Sequence, residues 1–528
     1  MRCLLFIGLC LISFSGHSSA IRYEITPLFP ENDVPYLQVR VFLSGETDGA
    51  TEFTIPDRFG PADQLFQCIR NLRCTSASCT LVVNKSLSRF AVHHPANAAV
   101  EIQYEVIQDV AGETLTTETA FRPLIRPDFF YILGSALFVT PMFGEGSCAV
   151  TLDWRGLPPD WQIHNSFGTG QHVQHFQFSK SRLIESVFMG GHFRVLETRV
   201  RNSPVYLAIR GDDWPFSDTQ LLEMLQKTVT TQRAFWQDWE IPYFTVTLMP
   251  LDLRPVMSAG SQYRSTEYLG TGLRNSFAAF VTPSPDLDVT NLRHLFNHEM
   301  MHNWIGNRIR SGGGPNDMRF GWFSEGFTEY FTYKNMLNGG FITPDEYVET
   351  MNREFFKRLY SSSLGEEPNS LVSAGFFDSR EKSDIVYKRG FVFAFYLDNA
   401  IKQSSGGEQG LHQFMLDLLD YYAIRTRDLL SNFDFFEVKL SEYLQEESAP
   451  APAIHPGGQA YFARHVCTAR FFENGNGSER RPFHLPRQNN AGVGRRAQKI
   501  GLSRRRGADT IFPECGEYGT FGCPENRH

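Results

Sequence analysis

The spacing of apolar and polar positions changes partway along the chain. From Ile21 to about Arg210, short segments such as YLQVRVFLSG at 36–45 and CTLVVN at 79–84 alternate apolar and polar residues, with Pro, Gly and Asp between them. Alternation with period two buries one face of a pleated strand, so this region reads as antiparallel strands joined by turns, the pattern of a β-sandwich. The period lengthens at Ser217. There a Ser217/Gln220 pair suited to a capping box precedes Leu221, Leu222, Leu225 and Val229 at helical spacing. YFTVTLMP at 243–250 reverts to a strand. Helices are then expected at 289–306, 323–337, 344–361, 385–403 and 409–424, with Gly306 and the pair Gly339 and Gly340 as stops. Strands early and helices later indicate a multidomain chain, a β-sandwich domain at 21–212 followed by an α+β, helix-rich domain at 213–449. A length of 528 residues leaves room for about two to three domains.

The ends read differently. Residues 1–20 carry Arg2, an apolar run at 3–14 and small residues Ser18 and Ala20, the layout of a secretory signal peptide cleaved after Ala20. A secreted or periplasmic protein is therefore expected. The run is shorter than the roughly 20 apolar residues of a spanning helix. The longest later apolar stretch, 129–143, contains Gly134 and Pro141 and reads as buried strands, so no transmembrane segment is expected after signal removal. Residues 450–528 form a Pro/Gly/Arg-rich tail with Arg495 and Arg496, then Arg504, Arg505 and Arg506. A solvated tail, a surface for something anionic and the product of a frame change in the gene all fit that composition. A net charge of -8 argues against nucleic acid as the main partner. Seven cysteines follow Ala20, so at least one thiol has no partner within the chain; an oxidising compartment favours local pairs such as Cys74 with Cys79 and Cys515 with Cys523. None has the CxxC spacing of a cysteine zinc site.

The chemistry concentrates in NHEMMHNW, 297–304. On a helix, residues four apart share a face, so His298 and His302 can offer two imidazole nitrogens to one metal ion with Glu299 beside them. Glu325 follows His302 by 23 residues, in GWFSEGFTEYF, and the turn-rich SGGGPND between them can fold the second helix back on the first. Two histidines, one carboxylate and an open fourth position describe a catalytic zinc site rather than a closed structural one. Glu329, one turn beyond Glu325, is spaced to orient a ligand histidine.

HEMMHNWIGN followed by WFSEGFTEY resembles the gluzincin metallopeptidases, and the front segments FFYILGSALFVTP and LDWRGLPPDWQ resemble the glycyl aminopeptidase family, with the aminopeptidase N family more distant. The resemblance implies a thermolysin-like catalytic domain, one Zn2+ held by His298, His302 and Glu325, and a peptide or protein substrate. It also implies that Glu299 takes a proton from a metal-activated water. VYKRGFVFAFYLDNAI at 386–401 matches the family segment whose tyrosine donates to a developing oxyanion, which falls on Tyr387.

One departure bears on where such an enzyme would cut. Families that trim amino termini carry a strand whose glutamate binds the substrate's amine. Here that strand reads TGLRN, making Gly272, Leu273 and Arg274 the substrate-binding candidates, with Arg274 where the glutamate is expected. Like charges about 4 Å apart cost on the order of 4 kcal/mol at an effective dielectric of 20. An amine clamp is thus disfavoured, and Arg274 would suit a carboxylate instead. Glu267, at an odd offset, substitutes only if the strand register differs.

Overall fold

The alternating segments form strands, and their inward residues fill the core. In the computed structural model, residues 20–83, 88–142, 147–252, 255–258, 261–264, 266–310, 318–365, 367–424 and 432–444 are described. The signal segment before Ala20, the SGGGPND linker, the tail and the Cys515/Cys523 pair lie outside them. A six-stranded sheet runs in the order Val173–Phe178, Cys148–Trp154, Ala20–Leu28, Tyr36–Ser44, Ala99–Ile107, Ile69–Cys74. Strand Tyr36–Ser44 buries Leu37, Val39, Val41 and Leu43 and turns the residues between them outward, as period-two alternation requires. Tyr23 and Tyr104 enter the same core, and their hydroxyls donate to the Val139 and Leu137 carbonyls, satisfying polar atoms that burial would otherwise strand. A four-stranded sheet adds Phe53 and Phe90, whose rings stack at 5.1 Å in that core. Cys74 and Cys79 are joined in a disulfide, one of the local pairs expected.

The pattern of strand directions corrects a purely antiparallel reading. Ala20–Leu28 pairs parallel to Cys148–Trp154, with Ile21 opposite Val150. Parallel partners need a long crossover, and the intervening strands provide one that periodicity alone does not reveal. The apolar stretch 129–143 is likewise not strand throughout: Phe129–Leu133 is a strand, Gly134–Leu137 a helical turn, and Thr140–Pro141 pairs with Ala50–Thr54.

A mixed sheet carries the site. Its order is Arg194–Val200, Ser203–Ile209, Phe244–Pro250, Ser276–Val281, Tyr268–Leu273, so it draws strands from both sides of residue 213. The two parallel strands Ser203–Ile209 and Phe244–Pro250 are connected through the helix Asp218–Phe235. That helix opens with the expected capping box: the Ser217 hydroxyl accepts from the Gln220 amide at 3.2 Å and the Gln220 side chain accepts from the Ser217 amide at 3.0 Å. Every residue of Ser276–Val281 is buried, whereas Tyr268–Leu273 forms the sheet edge.

The later half is helical. Leu292–Met301 is the motif helix, shorter than the expected 289–306 because the chain turns at His302. The expected 323–337 helix is broken at Glu325, which separates Gly321–Ser324 from Gly326–Asn338. Gly326–Asn338 crosses the long helix Arg380–Ser404, and buried Asp398 ties them: its Oδ2 accepts from Tyr330 at 2.6 Å, Lys334 at 2.8 Å and Lys402 at 2.7 Å. Buried Asn297 links the motif helix to its neighbours, its carbonyl accepting from Gln232 at 2.6 Å and its side-chain oxygen from Asn335 at 3.0 Å. Among the described residues no helix is long and apolar enough to cross a membrane.

Candidate metal centre

His298 lies in the last turn of the motif helix and His302 caps it, still in helical conformation, so both rings face the same side. Their Nε2 atoms are 3.1 Å apart, and Glu325 Oε2 is 3.5 Å from each. His302 Nδ1 is 3.2 Å from the Ile305 carbonyl, an acceptor only. That fixes the tautomer and leaves the Nε2 lone pair facing its neighbour. Two imidazole nitrogens and a carboxylate oxygen this close together can hold one cation among them. Zinc bonds of 2.0–2.2 Å in a tetrahedron separate ligand atoms by about 3.3 Å. The donor set and its spacing therefore fit one zinc ion.

The sequence spacing of Glu329 is realised in space. Its Oε1 is 3.4 Å from His298 Nδ1 and its Oε2 is 2.9 Å from His294 Nε2. His294 was not legible as part of the site, although it stands one turn before His298. Burial opposes charge on the His298 ring, but Glu329 and Glu325 raise its pKa well above the usual imidazole value. Burial would raise the Glu325 and Glu329 carboxyls, yet the histidines beside them hold both below the ordinary carboxylate range. Glu299 differs: it is buried, and burial outweighs the histidine charges and pushes its pKa up.

Three backbone approaches set this geometry. A Cβ on Gly270 would lie 2.4 Å from the Glu299 carboxyl carbon, and one on Gly272 would lie 2.2 Å from His302 Cβ, so the edge strand runs directly over the motif helix. Gly390 meets Gly326 backbone to backbone, where a Cβ on Gly390 would be 1.9 Å from the Trp322 carbonyl oxygen. That crossing brings Tyr387, one turn before Gly390, beside Glu325, one residue before Gly326. The Tyr387 ring is 6.0 Å from that of His298, and burial together with Glu325 raises its pKa well above the usual phenol value.

His298, His302, Glu299, Glu325 and Tyr387 line one cleft of about 900 Å³, together with Gly272 and Leu273 of the edge strand. Arg274 and Glu267 are not in its lining. Arg274 occupies the two-residue turn Arg274/Asn275 that joins Leu273 to Ser276, so strand alternation does not aim it at the cleft. Partial desolvation and the charges of Arg182, Arg308 and Arg310 lower its pKa to about 10. Asn307, which the sequence did not single out, donates to the His302 carbonyl at 2.8 Å and the Gly272 carbonyl at 3.2 Å, pinning strand to helix end. Glu185 and Arg310, also in the lining, were equally invisible, because they meet only in the fold.

The M61 glycyl aminopeptidase family model matches residues 291–389. The crystal structure of an aminopeptidase N family protein from Idiomarina loihiensis aligns with a TM-score of 0.62 at 16% identity, covering 82% of this chain and 77% of that one. A leucine aminopeptidase 2 of Aspergillus oryzae is 22% identical over 190 residues, 31% of this chain and 29% of the relative. That of Ajellomyces capsulatus is 23% identical over 193 residues, 34% of this chain and 27% of the relative. The chain thus spans less than a third of the curated relatives it matches. Residues 291–389 carry the sequence pattern of the M61 glycyl aminopeptidases, hydrolases of the metallopeptidase class, set in antiparallel-rich sheets and a helical region that match an aminopeptidase N-like fold.

Proposed function

We propose that the protein is a zinc-dependent peptidase that hydrolyses peptide bonds in this cleft, with His298, His302 and Glu325 as metal ligands. The convergence of those three ligand atoms beside the buried Glu299 carboxylate carries the reading. A zinc ion supplies Lewis-acid chemistry, polarising a carbonyl and making water acidic near neutral pH. Glu299, its basicity raised by burial, accepts a proton from the attacking water and passes it to the leaving amine. Tyr387 keeps its proton and donates a hydrogen bond as negative charge develops on the carbonyl oxygen. Glu329 holds the His298 ring in place. The edge strand Tyr268–Leu273 lines the cleft, where an extended peptide would lie alongside it and add to the sheet. No carboxylate of residues 267–275 lines the cleft, so a peptide with a blocked amino terminus should be cut at least as well as its free counterpart.

Glu299→Gln tests the reading. The variant should bind one equivalent of zinc, by metal analysis of the purified protein, and lose about 100-fold to 10,000-fold in kcat/KM on unstructured peptides, the usual range for a general base. Wild-type turnover by this variant would refute the assignment of Glu299, and a zinc content near zero in both proteins would refute the metal site.

The disulfide between Cys74 and Cys79 supports an oxidising location, secreted or periplasmic.

A further inference from the structure

One wall of the cleft is electrically unlike the rest. Glu185 lies in it with its side chain only 9% exposed, and its Oε2 accepts from Arg310 Nη2 at 2.8 Å. Arg310 also lines the cleft, donates through Nε to the Asn307 carbonyl at 3.0 Å and keeps 38% of its side chain exposed. Among the described residues its Nη1 has no partner. Asn307 is the residue that pins His302 to Gly272, so Arg310 is tied into the same frame as the metal centre. Burial pushes the Glu185 carboxyl up, while the charges of Arg310, and more weakly Arg274 and Arg182, pull it down. Nearby Arg308 is paired with Asp238. A half-exposed guanidinium edge with an unused donor, held in place by a buried carboxylate, is well placed to bind an incoming anion.

We propose that Arg310 and Glu185 form a substrate subsite for an anionic group of the peptide, an acidic side chain or a free terminal carboxylate, which binds to the open edge of the Arg310 guanidinium. Glu185 holds the fork in orientation, and Arg274 and Arg182 supply the surrounding field. The subsite rests on the peptidase reading for its substrate and adds selectivity to it.

The test uses internally quenched peptides in which a single Asp replaces Asn at successive positions around the cleaved bond, each made with a free and an amidated carboxyl terminus. Turnover is measured with the zinc-loaded wild type, and binding with Glu299→Gln by fluorescence anisotropy. At one position Asp, or at the terminus the free carboxylate, should be favoured about tenfold or more in both kcat/KM and Kd, as a charge-assisted hydrogen bond provides. The arm that shows the preference identifies the source of the carboxylate. In the double variant Arg310→Gln/Glu185→Gln, which leaves neither charge buried alone, the preference should vanish. Arg310→Lys, which keeps the charge but not the fork, should weaken it and serves if the double variant fails to fold. Cleavage with no acidic preference, or a preference unchanged in these variants, overturns the subsite while leaving the peptidase reading intact. A preference for a free α-amine that the double variant abolishes also overturns it and makes Glu185 an amine partner. Selective binding of acidic peptides without any cleavage by the wild type would instead uphold the subsite and defeat the peptidase reading.

Discussion

Tyr387 shows how a single side chain acquires its role from position. Burial and the adjacent Glu325 carboxylate raise its pKa well above the usual phenol value, so the hydroxyl keeps its proton and is available as a donor. Tyr387→Phe should therefore lower kcat by about 100-fold to 1,000-fold, the scale of one lost oxyanion donor, with KM and melting temperature little changed. Steady-state kinetics with a thermal melt decide it, and an effect confined to KM would remove the donor role. Most of this centre was legible residue by residue. HExxH spacing places two rings on one helical face, and Glu325 and Glu329 follow in a short second motif. His294, Asn307, Glu185 and Arg310 were not legible, because each works through a partner distant in sequence: Glu329 for His294, Gly272 for Asn307, and each other for the last two.

At the level of elements, Glu325 and Tyr387 are brought together by two helices in backbone contact. Gly326 and Gly390 leave no room for a methyl group at the crossing. Gly390→Ala would press a Cβ into the Trp322 carbonyl, forcing the helices apart and carrying Tyr387 away from Glu325. Overpacking of this kind costs about 1–3 kcal/mol, so denaturant unfolding should show a loss of that size, accompanied by a fall in activity larger than the stability loss explains. A fully active, equally stable Gly390→Ala protein would mean the crossing does not position the tyrosine. The sequence placed helices near these positions but not their ends. Local periodicity continues through Glu325 and His302, and both stay in helical conformation at the boundaries of their helices.

The molecule as a whole couples stability to pH through a group outside the cleft lining. His164 is fully buried in the strand Gln162–Asn165, and burial lowers its pKa to about 3. An unfolded histidine titrates near 6.5. Between those values the unfolded chain holds a proton that the folded chain rejects, so stability falls as pH drops below about 6.5 and the contribution is absent above it. Replacing His164 with Phe should flatten the loss by up to about 1.4 kcal/mol per pH unit in that window. Urea unfolding of both proteins at pH 7.5, 6 and 5 measures the difference, and parallel curves would show that His164 does not carry it. What the sequence determined by itself was local: strand and helix periods, the Ser217/Gln220 cap and the shared helical face of His298 and His302, since each involves residues a few turns or one short motif apart, whereas the cysteine pairing stayed open among local candidates. The tertiary structure alone decided the parallel pairing of Ala20–Leu28 with Cys148–Trp154, the edge position of Tyr268–Leu273 over the motif helix, and the cationic wall around Glu185. It also moved Arg274 from the expected substrate-facing place into a hairpin turn. These depend on which surfaces meet after long crossovers, and no window of neighbouring residues contains both halves of such a contact.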